Sequence, residues 1–202
     1  MISSPIVVFD LGKVLVDFDY SIAACRIASQ SAATIENLHE FLGNSSILVE
    51  LESGQLTRQE FFEQVQAITG FRGGIGEFSE FFADIFTEIP EMVKLHAELR
   101  QRGLKTYIFS NTNDLAVEHI QRNFPFFRNF EGYIYSYKVG AMKPDAKIYE
   151  ALEQLAGRRG AEIIYLDDRT ENVSGGLARG WHAILHESPE KSRTALESFK
   201  LW

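Results

Sequence analysis

The chain has 202 residues, a formal net charge of −8 and 45% hydrophobic residues. This length and composition predict a globular protein that can bury a substantial core and carry a sizeable insertion. The acidic balance, without a block of Lys or Arg, does not favour nucleic acid or an anionic membrane as a partner. Composition leaves the oligomeric state open.

The first hydrophobic stretch is interrupted by Asp10 and Lys13, which argues against a secretory signal. No apolar run reaches the roughly 20 residues that a membrane-spanning helix needs. The single cysteine, Cys25, cannot form an intrachain disulfide, and we expect it to be buried within a predicted helix. Together these features favour the cytoplasm, which is a reducing compartment.

The first part of the chain predicts one strand followed by helices. Apolar residues at 5–10 predict the strand, but between about Phe18 and Ile89 apolar residues recur at spacings of three and four. The phenylalanines of this region are predicted to pack into a helical core: Phe78, Phe81, Phe82 and Phe86. The glycine-rich stretch 70–76 follows no strand, so it predicts a turn between helices rather than a phosphate-binding loop.

From Pro90 onward, helical and strand patterns alternate. The predicted helices lie near 91–102, 114–123, 145–156, 171–179 and 190–199, and the predicted strands near 104–109, 132–136, 162–167 and 182–186. Such alternation predicts an α/β fold with a mainly parallel sheet covered by helices. We therefore expect a core domain of residues 1–17 and 90–202 and a helical cap of residues 18–89 that lies above Asp10.

Polar residues follow the predicted strands at four places. Asp10 follows the first strand, Ser110 follows residues 104–109, and the pair Asp167-Asp168 follows the strand that begins near Ile163. Lys143 stands in the phrase Met142-Lys143-Pro144-Asp145. In open α/β sheets, ligands bind beyond the carboxyl ends of the strands, so we expect these residues to converge there.

These residue types suit magnesium-dependent phosphoryl transfer. An aspartate such as Asp10 can attack phosphorus and form an aspartyl-phosphate, which divides the reaction into two easier steps. Magnesium prefers hard oxygen ligands, which Asp10 and Asp168 can supply. Without a cation, Asp167 and Asp168 beside Asp10 would repel one another, and at least one would tend to take up a proton. Lys143 and Ser110 can hold the phosphate oxygens.

Each signal by itself also fits a structural role. Asp10 could begin a turn, and the polar run from Ser110 to Asp114 contains residues that commonly cap helices. Lys143-Pro144-Asp145 could simply start a helix, because proline suits the first turn. The coincidence of four strand ends is what favours an enzyme.

With these motifs in place, the chain resembles the haloacid dehalogenase (HAD) superfamily, whose members are mostly phosphatases with an aspartate nucleophile and magnesium. The matching motifs, in chain order, are Phe9 to Val16, Ser110-Asn111-Thr112, Lys143-Pro144, and Asp167-Asp168 through Asn172. The resemblance implies a Rossmann-like core with a small all-helical cap inserted after the first motif, and Mg²⁺ as the cofactor.

The resemblance also implies roles for individual residues. Asp10 would be the nucleophile and a metal ligand, and Asp168 and the Gly12 carbonyl would be further metal ligands. Ser110, Asn111 and Lys143 would bind the substrate phosphate, with Ser110 and Lys143 taking part in catalysis. Asp167 and Asn172 are supporting candidates.

Several phrases are similar to the bacterial group that includes α-D-glucose-1-phosphate phosphatase. They are Asp10-Leu11-Gly12, Val16 to Asp19, Glu52 to Thr57, Ser110 to Asn113 and Gly140 to Pro144. This similarity implies a phosphatase that acts on a small phosphorylated metabolite, for example a sugar phosphate such as glucose 1-phosphate.

Gly12 departs from most phosphatases of the superfamily, which have a second aspartate there as general acid and base. Losing such a group can cost roughly 10²- to 10⁴-fold in rate, whereas a metal contact through the backbone carbonyl would survive. One hypothesis is that Asp17, Asp19 or a bound water partly replaces it. The structural alternative is that Asp19 caps the helix beginning near Tyr20 and that Asp17 is merely solvated.

Other functions remain open at this point. A 2-haloacid dehalogenase shares the aspartate nucleophile but does not use magnesium, and the pair Asp167-Asp168 argues against it. A low-activity regulator that binds phosphate or metal is favoured by Gly12. A receiver-type signalling module uses similar residues in a different order and has no place for the insertion.

Overall fold

A computed structural model describes residues 4–199 and 201. The first and last residues of the predicted core domain, 1–3, 200 and 202, lie outside the described residues. The strands, in chain order, are β1 (Ile6–Phe9), β2 (Val16–Phe18), β3 (Phe86–Glu88), β4 (Thr106–Ser110), β5 (Gly132–Tyr135), β6 (Ile163–Asp167) and β7 (His182–Leu185).

Five of these strands form one parallel sheet in the order β5-β4-β1-β6-β7. The first strand is central, since Val8 pairs with Tyr107 of β4 on one side and with Tyr165 of β6 on the other. The predicted mainly parallel α/β sheet is thereby confirmed. The centre of the sheet is the place where β1, β4 and β6 end side by side.

The central strand is apolar throughout because both of its faces are covered. Val7 and Phe9 belong to one buried cluster, while Ile6 and Val8 belong to another. Helical residues such as Met92 pack in the first cluster, and others such as Tyr149 pack in the second. Continuous apolar strands are typical of parallel sheets with helices on both faces.

The five helices predicted from Pro90 onward lie close to their predicted ranges, whereas the short helix Ser136–Val139 was not predicted. In chain order the helices are α1 (Tyr20–Ala28), α2 (Ile35–Asn44), α3 (Ser46–Glu52), α4 (Arg58–Thr69), α5 (Ile75–Ala83), α6 (Pro90–Gln101), α7 (Asp114–Asn123), α8 (Ser136–Val139), α9 (Ala146–Ala156), α10 (Thr170–Ala178) and α11 (Pro189–Glu197). Two short 3₁₀ helices span Pro125–Arg128 and Gly160–Glu162.

Helices α1–α5 follow β2 and form the inserted segment, with a core of its own. Phe78 and Phe82 are buried in this core, as the sequence predicts. Helix α4 begins with a capping box between Thr57 and Glu60. Gly70 follows its last residue and has a φ of 67°, which favours glycine. The glycine-rich stretch is therefore a turn between helices.

The sequence prediction missed two short strands at the edges of this insertion. Strands β2 and β3 pair antiparallel, with Asp17 opposite Thr87 and Phe18 opposite Phe86. Three-residue strands are too short to show a period of two, and Phe86 fits the helical stripe by spacing alone. The predicted boundaries between the core domain and the cap, at residues 17/18 and 89/90, lie in or next to these two paired strands. The domain boundaries stay a prediction.

The expectation that Cys25 is buried is wrong. The buried face of α1 is formed by Ala23, Ala24 and Ile27, so the intervening Cys25 points outward and is a free, exposed thiol. Among the described residues, none of the helices combines the length and the apolarity that crossing a bilayer requires.

Candidate active site

A cavity of about 340 Å³ lies between the carboxyl edge of the sheet and the inserted helices. Core residues Asp10, Ser110 and Lys143 line it from the sheet side. Helical residues Tyr20 and Glu52 line it from the insertion. Its volume is at the lower end of the roughly 300–1,000 Å³ that is usual for small-molecule sites.

The sheet order brings the predicted residues together. Strand β1 lies between β4 and β6, so Asp10, Ser110 and Asp167 occupy neighbouring strand ends. The N–H of Asp10 donates to the carbonyl of Leu166 (2.9 Å), which extends the pairing by one residue. The Asp10 carboxylate accepts a hydrogen bond from the N–H of Leu11 (2.6 Å).

Lys143 is the buried cation of the site. Its Nζ lies 3.0 Å from Oδ2 of Asp10 and 2.6 Å from Oδ2 of Asp167, and it also donates to the carbonyl of Phe109 (2.9 Å). Asn111 holds the loop that carries Lys143 in place. Its side chain accepts a hydrogen bond from the N–H of Lys143 (2.7 Å) and donates one to the carbonyl of Lys143 (3.0 Å).

Asp167 lies behind Lys143 and is fully buried. Besides Lys143, its carboxylate accepts hydrogen bonds from the Tyr165 hydroxyl, the Arg169 N–H (2.8 Å) and the Asn172 amide (3.0 and 3.2 Å). With these donors in place, Asp167 serves to hold Lys143 and the start of α10 rather than to offer free oxygens to a ligand.

The three carboxylates lie in an electrostatic environment that calls for another cation. Burial raises the pKa of Asp10 to about 8, although Lys143 opposes the shift. Burial and the neighbouring Asp167 raise the pKa of Asp168. Burial acts to raise the pKa of Asp167 as well, but the charge and hydrogen bond of Lys143 hold it below its usual range. One ammonium therefore does not balance the three acids.

The donor set fits a hard divalent cation. Carboxylate oxygens of Asp10, Asp167 and Asp168 all lie within 4.8 Å of one another. Because the oxygens of Asp167 already accept several hydrogen bonds, Asp10 and Asp168 are the ones with free lone pairs. Gly12 also lines the cavity and can add a backbone carbonyl. Magnesium is commonly held by one or two carboxylates and completed by water and phosphate.

Gly12 is packed against an aromatic ring. A Cβ at this position would lie 2.9 Å from Cε1 and 3.5 Å from Cδ1 of Phe18. The Phe18 ring is itself held by Tyr20 and Phe86, at centroid distances of 5.6 and 6.2 Å, and by the Lys13 ammonium 4.5 Å above it. Phe18 thus occupies the space into which a side chain at position 12 would extend.

Asp17 and Asp19 are not among the cavity-lining residues. Asp17 is exposed, forms an ion pair with Lys13 and accepts from the N–H of Phe18 (2.8 Å). Asp19 is the N-cap of α1 and accepts from the N–H of Ser21 (2.8 Å). Asp19 has the capping contact of the structural alternative, whereas Asp17 is paired with Lys13 rather than merely solvated. Neither carboxylate lines the cavity in which a replacement for the missing acid would act.

Two more lining residues escaped sequence reasoning. Glu52 ends α3 and faces the cavity from the insertion, and Tyr20 lies beside it near the start of α1. Glu52 opens the phrase Glu52 to Thr57, but nothing in its spacing distinguishes it from a solvated helix end. Asn113, which caps α7, and Arg169 complete this polar group.

The fold and this arrangement define a hydrolase of the haloacid dehalogenase type. A family model described as haloacid dehalogenase-like hydrolase matches residues 5–180. The chain therefore belongs to the haloacid dehalogenase-like hydrolases, which confirms the superfamily resemblance that its motifs predict.

Individual relatives cover most of the chain. It is 25% identical over 189 residues to a D-ribitol-5-phosphate phosphatase from Bacteroides thetaiotaomicron, covering 90% of this chain and 91% of that protein. A protein from Porphyromonas gingivalis, described as a predicted HAD-like family hydrolase, superposes with a TM-score of 0.80 at 24% identity, covering 96% of this chain and 98% of that one. A HAD family enzyme from Bacteroides thetaiotaomicron, in complex with magnesium and inorganic phosphate, gives 0.78 at 23% identity, with 91% and 94% covered.

Proposed function

We propose that the protein is a magnesium-dependent phosphatase of a small phosphorylated metabolite. The observation that carries this proposal is the buried Asp10–Lys143–Asp167 arrangement with Asp168 beside it, which provides a nucleophile, a phosphate-binding ammonium and metal-binding oxygens at one edge of the sheet. The activity named for the ribitol-phosphate relative, and the magnesium and phosphate bound to the structural neighbour, support the same chemistry.

In this proposal each residue has a separate role. Asp10 attacks phosphorus while the bond to the leaving oxygen breaks, and that oxygen takes a proton from water. A water molecule then attacks the aspartyl-phosphate and gives its proton to solvent, which releases phosphate and restores the Asp10 carboxylate. Lys143 and Ser110 bind the phosphoryl oxygens. Asn111, whose side chain is engaged by the backbone of Lys143, keeps the loop that carries Lys143 in place instead of binding phosphate as the resemblance implies. Asp10, Asp168 and the Gly12 carbonyl would hold magnesium, which would supply positive charge that favours the ionised nucleophile. Asp167 and Asn172 position Lys143 and the start of α10.

The substrate is a sugar or polyol phosphate in this proposal. Ribitol 5-phosphate, from the name of the relative, and glucose 1-phosphate, from the motif similarity, are the first candidates. A cavity of about 340 Å³ supports a guest of this size. The better leaving group of an anomeric phosphate would also suit a site without a second aspartate at position 12.

The inserted segment, residues 18–89, acts as a cap in the same proposal. It closes the cavity from the side opposite the sheet, which would exclude large phosphorylated substrates and still admit the water that the second step needs. The single thiol of Cys25, which is free, supports a place in the cytoplasm.

The test is phosphate release from a panel of sugar and polyol phosphates with magnesium. We expect turnover that is lost in Asp10→Asn and on removal of magnesium by chelation, and retained in Asp17→Asn, which changes an exposed carboxylate outside the cavity. Turnover of the Asp10→Asn variant at the parental rate would contradict the proposed chemistry.

The alternatives have distinct outcomes in the same experiment. Chloride release from a 2-haloacid in the presence of chelator would indicate a dehalogenase. Tight binding of phosphate and magnesium without Asp10-dependent turnover would indicate a regulator, which the absence of a second aspartate at position 12 favours.

A further inference from the structure

Glu52 is a carboxyl group that faces the cavity from the inserted helices, outside the acid cluster at the sheet. It is the last residue of α3, and its half-buried side chain lines the same cavity as Asp10. Tyr20 also lines this cavity and is close enough for the Glu52 charge to act on its hydroxyl.

The hydrogen bonding of Glu52 leaves part of its capacity for a ligand. The Asn113 side chain lies close enough to act as a donor that lowers the pKa of Glu52, and its own oxygen is already used by the N–H of Ala116 (3.0 Å). Arg169, whose charge also acts on Glu52, donates to Glu171 (2.7 Å). A carboxylate offers about four lone-pair positions, so one amide donor does not saturate it.

The cavity that Glu52 lines also has apolar walls. Phe82, Ile85 and Phe86 line the cavity from the insertion, and burial raises the pKa of Glu52 to about 7. A polar group in such surroundings is costly unless it is hydrogen-bonded. A ligand hydroxyl would satisfy Glu52 in either protonation state, because the ionised form accepts and the neutral form can both donate and accept.

We propose that Glu52 is a specificity-determining residue that binds a hydroxyl group of the substrate beyond its phosphate ester. Tyr20 and Asn113 complete this hydroxyl-binding group, and the aromatic side chains pack against the carbon chain. The proposal rests on the proposed phosphatase function and names its substrate class: phosphate monoesters of a polyhydroxylated carbon chain.

The experiment compares three phosphate esters with magnesium. Ribitol 5-phosphate carries hydroxyls, n-pentyl phosphate has the same chain length without them, and p-nitrophenyl phosphate has a good leaving group. We expect wild type to prefer ribitol 5-phosphate to n-pentyl phosphate. We expect Glu52→Met to lower kcat/KM for ribitol 5-phosphate about 10- to 100-fold, mainly through KM, because a hydrogen bond to a charged or polar partner is lost.

The conservative variant and a surface control make the test specific. Glu52→Gln keeps an acceptor and a donor, so we expect it to retain kcat/KM for ribitol 5-phosphate within about fivefold. Both Glu52 variants should leave the two hydroxyl-free esters nearly unchanged. Glu40→Met, which changes an exposed glutamate on α2, should leave all three unchanged.

Several results would overturn the proposal. If the wild-type enzyme does not prefer ribitol 5-phosphate to n-pentyl phosphate, that result alone overturns the proposal. Equal losses with all three esters would indicate a structural role. A loss in both Glu52→Gln and Glu52→Met for the two alkyl esters, but not for p-nitrophenyl phosphate, would make Glu52 the general acid instead. If wild type hydrolyses none of the three esters, the proposed function itself fails.

Discussion

Restoring an aspartate at position 12 should fail unless Phe18 is made smaller. The new Cβ would lie 2.9 Å from Cε1 of Phe18, and the ring cannot move freely because Tyr20 and Phe86 pack against it. Overpacking of this kind typically costs about 1–3 kcal/mol. We therefore expect Gly12→Asp to lower the free energy of unfolding by about that amount and to leave turnover unimproved.

The double variant Gly12→Asp/Phe18→Ala separates the two effects. Because residues 12 and 18 are in contact, the two substitutions should be non-additive, with a favourable coupling of about 0.5–3 kcal/mol in urea unfolding. With the ring removed, the new carboxylate can act as general acid, and we expect turnover of n-pentyl phosphate, a poor leaving group, to rise at least tenfold over Phe18→Ala. A single Gly12→Asp variant with full stability and raised turnover would refute the reasoning.

Two further predictions concern buried charge. Lys143→Met leaves Asp10 and Asp167 without their cation, so we expect the free energy of unfolding without metal to fall by about 3–5 kcal/mol in urea titrations, whereas Lys147→Met, at an exposed lysine, should change little. Burial lowers the pKa of His96 from its ordinary value of 6.5 to about 4. Between these two pH values the unfolded chain binds a proton at His96 and the folded chain does not. Stability should fall as pH drops through this window, by up to about 1.4 kcal/mol per unit, and His96→Gln should flatten that slope; an unchanged slope would contradict it.

The sequence predicted the sheet and the convergence of site residues because both depend on strong local signals. The apolar run before Asp10 and the acids after Ile163 mark strand ends, and parallel strands place such ends at one edge. The longer helices from Pro90 onward are clear for the same reason, since their period of 3.6 extends over many residues, whereas the four residues of α8 are too few to show it. The number and direction of hydrogen bonds at Asp167 depend on partners such as Lys143, 24 residues away along the chain, that only the fold brings into reach.

Other features could not be predicted from local patterns. Strands β2 and β3 are three residues each and are defined by their pairing with one another across the insertion. Cys25 is exposed because of the rotation of α1 on its neighbours, which single-residue hydrophobicity does not determine. Glu52 faces the cavity through the placement of α3 against the core, and its spacing from the sheet motifs carries no such information.

The most direct test of the central chemistry is to trap a phosphorylated Asp10. The enzyme is quenched with acid during turnover of a radiolabelled phosphate ester in the presence of magnesium. We expect the protein to carry a label that hydroxylamine removes, as is expected of an acyl phosphate. The Asp10→Asn variant should carry no such label. Parental rates of phosphate release with no hydroxylamine-labile label, or label that persists in Asp10→Asn, would contradict the account.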